Sequence, residues 1–244
     1  MRQIECTEVW GGTGACEVSV QLAGVRGECY SLPFDGEEKK GGDIHFLSVC
    51  GINRLSKVVL ADVSGHGSEV AEVSNIIHEA LVEHVGDHDN STMLGHVNEA
   101  FLRRRTGDFT FTTMVALIID REDRSLVYAY AGHPSILLGS ARTGRFTPIR
   151  PEGTGAVGLP LGIVAGTEYS QHSVQLEQGD VLAIYTDAFI EARTGGGEML
   201  GQGGLGRLLE GAESMHPADL KDHVLASLGR KYDDDASLVI LEVL

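Results

Sequence analysis

The hydrophobic period of the chain changes along its length, and that alternation limits the folds open to it more than any other feature. Residues 16–22 (CEVSVQL), 43–50 (DIHFLSVC) and 55–61 (LSKVVLA) are short, β-branched and partly alternating, with Gly, Asp or Asn between them, as in a meander of strands. Gly51-Ile52-Asn53 fits a hairpin connection that sets the second and third runs antiparallel. From Ser68 to about Val85 apolar residues fall at Val70, Val73, Ile76, Ile77, Ala80, Leu81 and Val85, the spacing of an amphipathic helix that stops before Gly86. A second helix follows, capped by Asn90 or Ser91, with Met93, Leu94, Val97, Phe101 and Leu102 as its buried stripe and Arg103, Arg104 and Arg105 at its C-terminus. Strand signals return over 109–119, 125–131, 135–138, 168–176 and 181–186. Residues 205–212 and 217–228 read as further helices, the latter with Pro217 in its first turn, and 236–243 as a last strand. Strand blocks with helices between them, and no regular βαβ alternation, predict an α+β domain built on antiparallel sheets. The glycine-rich stretch 194–206 is expected to be a mobile surface loop.

At 244 residues the chain is long enough for a hydrophobic core without disulfide staples, and 42% hydrophobic residues exclude a disordered chain. Its longest unbroken apolar stretch, Met114 to Ile119, is far short of the roughly 18 residues of a spanning helix. Lys and Arg number 19 against 35 Asp and Glu, so the net charge is 19 − 35 = −16, which repels nucleic acid and anionic membranes. The opening Met1-Arg2-Gln3-Ile4-Glu5-Cys6 has no apolar core behind a basic flank, so the expected location is the cytoplasm. Cys6, Cys16, Cys29 and Cys50 form no C-x-x-C pair; free thiols are expected, with a cysteine-ligated zinc site as the lesser alternative.

Two apolar runs, 57–62 and 181–187, end alike on an aspartate, Asp62 and Asp187. A carboxylate at the tip of a core strand is costly unless a cation or strong donors meet it. Asp43 opens a strand after Gly41-Gly42, and Asp233, Asp234 and Asp235 precede the last one. Taken singly, each reads as a strand-end residue bonding nearby backbone. Converging, they would call for hard divalent cations with oxygen ligands, Mg²⁺ or Mn²⁺.

Asp62-Val63-Ser64-Gly65-His66-Gly67 contains Ser, His and Asp but is no nucleophile elbow, because Asp62 stands where G-x-S-x-G needs its first Gly. Its glycines turn the chain sharply into the following helix, and His66 reads either as a turn hydrogen-bonder or as a proton handler beside the ligands. The formal G-x-G-x-x-G at 201–206 follows a glycine-rich loop and not a strand, so it is no dinucleotide motif, and no P-loop is present. His84 and His88 are separated by Gly86 and form no metal motif. His133, in the Gly-Pro turn 131–134, reads as structural.

Seven segments occur in one order: Gly41-Gly42-Asp43, Asp62 to Gly67, Phe111-Thr112-Thr113, Ala131 to Pro134, Gly158 to Gly162, Tyr185-Thr186-Asp187 and Asp234 to Val239. In that order the chain resembles the bacterial PPM-type (PP2C-like) serine/threonine phosphatases of the SpoIIE/RsbU class, over about 41–241. The resemblance implies an αββα sandwich, two antiparallel sheets flanked by helices, in a single domain over 1–244 without a separate sensor domain. It maps Asp43, Asp62, Asp187 and Asp234 to metal-binding aspartates and the Val63 backbone carbonyl to a further ligand, for two ions, Mn²⁺ or Mg²⁺. Asp233 and Asp235 are the alternatives to Asp234 by a one-residue slip. Ala188 departs from the family's usual Gly, and a turn requiring φ > 0 there would distort the site.

The implied activity is hydrolysis of phosphoserine or phosphothreonine by metal-activated water without a covalent intermediate. Its implied substrate is a phosphorylated STAS-domain anti-sigma-factor antagonist in a partner-switching pathway, with a regulatory protein contacting the helices over 68–105. Lys39, Lys40 and Arg103, Arg104 and Arg105 are either substrate contacts or a solvated face. Two other readings stand beside this one, a pseudophosphatase that binds a phosphoprotein without turnover and a metal-dependent phosphohydrolase of a small molecule.

Overall fold

The computed structural model describes residues 1–34, 36, 39–50, 52–65, 70–104, 110–151, 158–193, 197–230 and 232–244. Two mostly antiparallel sheets lie face to face between two helical layers, the αββα sandwich the resemblance implies. One sheet has seven strands in the order β1(Arg2–Gln3), β3(Cys16–Leu22), β4(Val25–Leu32), β13(Ala236–Val243), β12(Val181–Tyr185), β9(Leu137–Gly139) and β10(Phe146–Pro148). The other has six: β11(Gln171–Gln175), β8(Ser125–Ala131), β7(Thr112–Asp120), β6(Leu55–Val63), β5(Lys40–Cys50) and β2(Val9–Gly14). Only the β1/β3 pair is parallel among those described.

The central strands are apolar on both faces because both faces are covered. On β5, Leu47 and Val49 pack between the sheets, while Ile44 and Phe46 meet α1(Ala71–Glu83) and α2(Asn90–Arg104). On β12 and β13, Leu182, Ile184, Val239 and Leu241 face the other sheet. Val181, Ala183, Leu238 and Ile240 meet the second helical layer, α3(Ala188–Glu191), α4(Gly201–Glu210) and α5(Pro217–Leu228). The β5–β6 hairpin turns through Ile52 and Asn53, both left-handed at φ 58° and 59°, and pairs Cys50 with Leu55 antiparallel.

Several expectations need correction. Asp89, not Asn90 or Ser91, caps α2: its Oδ1 accepts from Thr92 N at 2.7 Å and from Ser91 Oγ at 2.5 Å. Asn90 is instead buried, donating to Val127 O. Leu102 is only half-buried, and Asn98 and Ala100 belong to the buried stripe. Gly201 to Gly206, expected in a loop, form the first turns of α4, because Leu205 and Leu209 bury against the sheet and outweigh the glycines' poor propensity. Residues 194–196, at the start of that stretch, lie outside the described residues. The strand at 168–176 shortens to 171–175, and the first helix begins at Ala71, with His66, Gly67 and Ser68 outside the described residues. Among the described residues no helix is long and apolar enough to cross a membrane.

Candidate metal centre

At one end of the sandwich the two sheets bring their acidic tips together. Asp43 and Asp62 belong to neighbouring antiparallel strands of one sheet, β5 and β6. Asp187 follows β12 and Asp234 precedes β13 in the other, where β12 and β13 are neighbours. Four positions spread between 43 and 234 are thus drawn to one edge by the sheet topology.

Asp43 is 2% exposed. Thr186 Oγ1 donates to its Oδ2 at 2.9 Å and accepts from Ser237 N at 2.9 Å, so the second sheet orients this carboxylate of the first. Its other oxygen, Oδ1, is buried without a hydrogen-bond partner. Burial raises the Asp43 carboxyl well above the carboxylate range, and Asp62 adds to the shift. Asp62 is raised well above that range by burial, then by Asp187, Asp234, Asp235 and Glu191. Asp187 is raised by burial, then by Glu191 and Asp234. None of the groups acting most strongly on these three is a cation.

Asp234 and Asp235 divide the work of their run. Asp235 is buried and turned into backbone, its Oδ2 accepting from Gly42 N at 2.5 Å and its Oδ1 from Phe34 N at 2.7 Å. Asp234, half-buried, contributes to the field on Asp62 and Asp187, while Asp233 is exposed. Gly41 and Gly42 permit the close approach: a Cβ on Gly41 would lie 2.5 Å from Asp235 Oδ1, and one on Gly42 would lie 3.0 Å from the Val63 carbonyl oxygen. That contact places the Val63 carbonyl beside the strand of Asp43. Ser74 of α1 sits over the same glycines, its Oγ 3.0 Å from Gly41 O and 3.3 Å from Gly42 O.

Ala188 does not strain the turn. Asp187 is helical at φ −62° and ψ −24°, and Ala188 opens α3 with its side chain buried, so no positive φ is needed. His133 is buried, with Nδ1 2.9 Å from Thr113 Oγ1, a strut between β7 and the turn after β8. Arg104 pairs with Glu83 at 2.7 Å on the surface, Lys40 meets Asn75 and Arg103 is exposed; Arg105 lies outside the described residues. His84 faces His96 and Asp87 instead of His88.

Sequence reasoning missed Thr186 and Asp235 as orienting groups, and Glu191, which one turn of α3 stacks four residues after Asp187. The i, i+4 spacing was the available signal for Glu191. Glu191 and Asp234 also border a cavity of about 420 Å³, walled by Arg193, Met199 and Tyr232. The described three-ligand groupings with donor atoms within 4.8 Å lie elsewhere, at Cys16, Cys29 and His45 and at His84, Asp87 and His96. The acidic tips are spread more widely, as ligands divided between two ions would be.

The buried orphan oxygen on Asp43 and the uncompensated repulsion fit hard divalent cations on oxygen ligands. This sandwich with an acidic edge defines the PP2C-like class, and solved structures of that class superpose on it. The RsbU and RsbW domains of a Mycobacterium tuberculosis protein match with a TM-score of 0.79 at 27% identity, over 95% of this chain and 63% of that one. RsbX in complex with magnesium matches at 0.70 with 19% identity, over 94% of this chain and 100% of that one. The family model for stage II sporulation protein E (SpoIIE) matches residues 54–244, and the chain belongs to that family. It is 27% identical over 190 residues to the phosphoserine phosphatase RsbU of Bacillus subtilis, covering 75% of this chain and 54% of the relative, so it spans about half that protein's length.

Proposed function

We propose that the chain is a Mn²⁺- or Mg²⁺-dependent phosphatase acting on phosphoserine or phosphothreonine in a protein. In this reading Asp43, Asp62, Asp187 and Asp234, with the Val63 carbonyl, hold two ions. The observation that carries it is the buried, partnerless Asp43 Oδ1 within a set of mutually repelling carboxylates. When bound, two divalent cations neutralise phosphate charge and make water a competent nucleophile near neutral pH. The chain's own residues set the geometry. Thr186 fixes the Asp43 rotamer, and Asp235 clamps Gly42 so that Asp43 and the Val63 carbonyl keep their spacing. The Thr186 hydroxyl is committed to Asp43 and Ser237, which leaves it unsuited to attack phosphorus and supports a path without a covalent intermediate. Arg193 supplies positive charge on the wall of the adjoining cavity, where a phosphorylated segment can lie.

The substrate is a phosphorylated STAS-domain protein, a reading supported by the likeness to RsbU, a phosphoserine phosphatase, and by a relative in which RsbU and RsbW domains share one protein. A regulatory protein acts through the helices over 68–105, for which the Ser74 contact with Gly41 and Gly42 offers a route from α1 to the strand of Asp43. The deciding experiment is Mn²⁺-dependent phosphate release from a phosphorylated STAS protein. Asp62→Ala and Asp187→Ala should each lower the rate by roughly a hundredfold or more. A wild type no faster than these variants would leave a phosphoprotein-binding module, and turnover confined to nucleotides or sugar phosphates would make the substrate a small molecule.

A further inference from the structure

A second group of metal-ligand side chains, unrelated to the acidic edge in chemistry, joins the two sheets. Cys16 on β3 and Cys29 on β4 belong to one sheet and His45 on β5 to the other. Cys16 Sγ lies 3.7 Å from Cys29 Sγ and 3.5 Å from His45 Nε2, and the three donor atoms lie within 4.8 Å of one another. Tetrahedral zinc, with Zn–S of about 2.3 Å and Zn–N of about 2.0–2.1 Å, requires S···S near ~3.8 Å and S···N near ~3.6 Å. The two edges that meet at Cys16 Sγ therefore already stand at the lengths of a zinc tetrahedron, and the third, from Cys29 Sγ to His45, lies within 4.8 Å.

Two further features favour a cation over a plain hydrogen-bond cluster. Trp10 packs on the His45 ring at 5.3 Å between centroids, and the ring is held with Nε2 3.5 Å from Cys16 Sγ. Two thiolates, a neutral imidazole and a divalent cation also sum to zero charge, the condition for burial at low cost. By contrast, His84 and His96 both direct Nδ1 at Asp87 Oδ2, at 3.2 and 2.8 Å, a set that hydrogen bonds already satisfy.

We propose that Cys16, Cys29 and His45 form a zinc site, with three protein ligands and a fourth position reached from the 350 Å³ cavity that Cys16, Tyr30 and Arg230 line. Its ligand is a borderline-soft divalent cation, distinct from the hard ions suited to the aspartates. Its place in the fold makes it a brace: it ties β3 and β4 to β5 two residues beyond Asp43.

The test uses the full chain, reduced and stripped of metal, titrated with Co²⁺ as a spectroscopic substitute for zinc. One equivalent should produce thiolate-to-cobalt charge-transfer absorption with tetrahedral visible bands, abolished by Zn²⁺ and untouched by excess Mn²⁺. Oxygen ligands at the acidic edge give no such band. Cys16→Ser and Cys29→Ser should weaken this binding by roughly tenfold or more, while Cys6→Ser and Cys50→Ser leave it as in the wild type. In the unmodified protein, Zn²⁺ should protect Cys16 and Cys29 from alkylation, mapped by mass spectrometry, without protecting Cys6. Absence of the charge-transfer band from reduced wild type, its persistence in folded Cys16→Ser, or equal alkylation with and without Zn²⁺ would overturn the site.

Discussion

A methyl group at position 41 would meet a carboxylate oxygen of Asp235 at 2.5 Å, which is too close for any Cβ. Gly41→Ala is therefore expected to displace Asp235 from Gly42 N, lower stability by about 1–3 kcal/mol and weaken Mn²⁺ binding; unchanged Mn²⁺ affinity by calorimetry would refute the clamp. A second expectation concerns His133, whose burial lowers its pKa from 6.5 to about 3. Between those values the unfolded chain takes up a proton that the folded chain refuses, so this histidine's stabilisation is complete above pH 6.5 and declines as pH falls towards 3. From pH 6.5 to 5 the loss is about 2 kcal/mol. Urea unfolding of His133→Gln should show a flatter pH slope in that window, and parallel slopes would count against it. At this scale the strand-tip aspartates were legible because an apolar run that stops on Asp is unusual. Thr186, Asp235 and Glu191 were not, because their roles depend on neighbours from the opposite sheet or the next helical turn. The concern over Ala188 dissolved for the same reason: its backbone is settled by α3, which four residues of sequence do not announce.

Among the elements, α5 is fastened to the seven-stranded sheet by Lys221, whose side chain is 8% exposed and whose Nζ lies 2.9 Å from Glu17 Oε1 and 3.3 Å from Glu28 Oε2. Glu28 is 9% exposed, so Lys221→Met would leave a buried carboxylate without its cation. The expected cost is about 3 kcal/mol, and the double variant Lys221→Met/Glu28→Leu should recover most of it. Equal instability of the single and double variants in denaturant titrations would argue against the pairing. The first helical layer is pinned in a comparable way by buried Lys57, which donates to the carbonyl oxygens of Val85 and Asp87 in the α1–α2 connection. Elements with one clear hydrophobic period were legible, β8, α5 and β13 to the residue. Strand β4, central to its sheet, was not: Gly27, Glu28 and Ser31 interrupt its pattern, and Glu28 is tolerable inside only because Lys221 arrives from α5. Helix α4 misled in the other direction, its glycines signalling a loop while Leu205 and Leu209 dock it.

For the molecule as a whole, a net charge of −16 and an edge of facing carboxylates both oppose compaction until cations arrive. Mn²⁺ at a hundred times its dissociation constant should stabilise the fold by about 2.7 kcal/mol, a rise of roughly 5–10 °C in melting temperature. Sodium at equal ionic strength should not reproduce this, and Asp43→Asn should abolish it. A melting curve in Asp43→Asn that still responds fully to Mn²⁺ would remove Asp43 from the centre.

The position of β13 has a consequence for how such a molecule comes into being. It lies between β4, which ends at Leu32, and β12, and Asp234 stands just before it. While a ribosome is still delivering residues before 236, the seven-stranded sheet has a gap at its middle and the acidic edge lacks one corner. Strand β4 therefore waits for a partner about two hundred residues further along the chain, and the proposed cation site lacks Asp234 until β13 has been delivered.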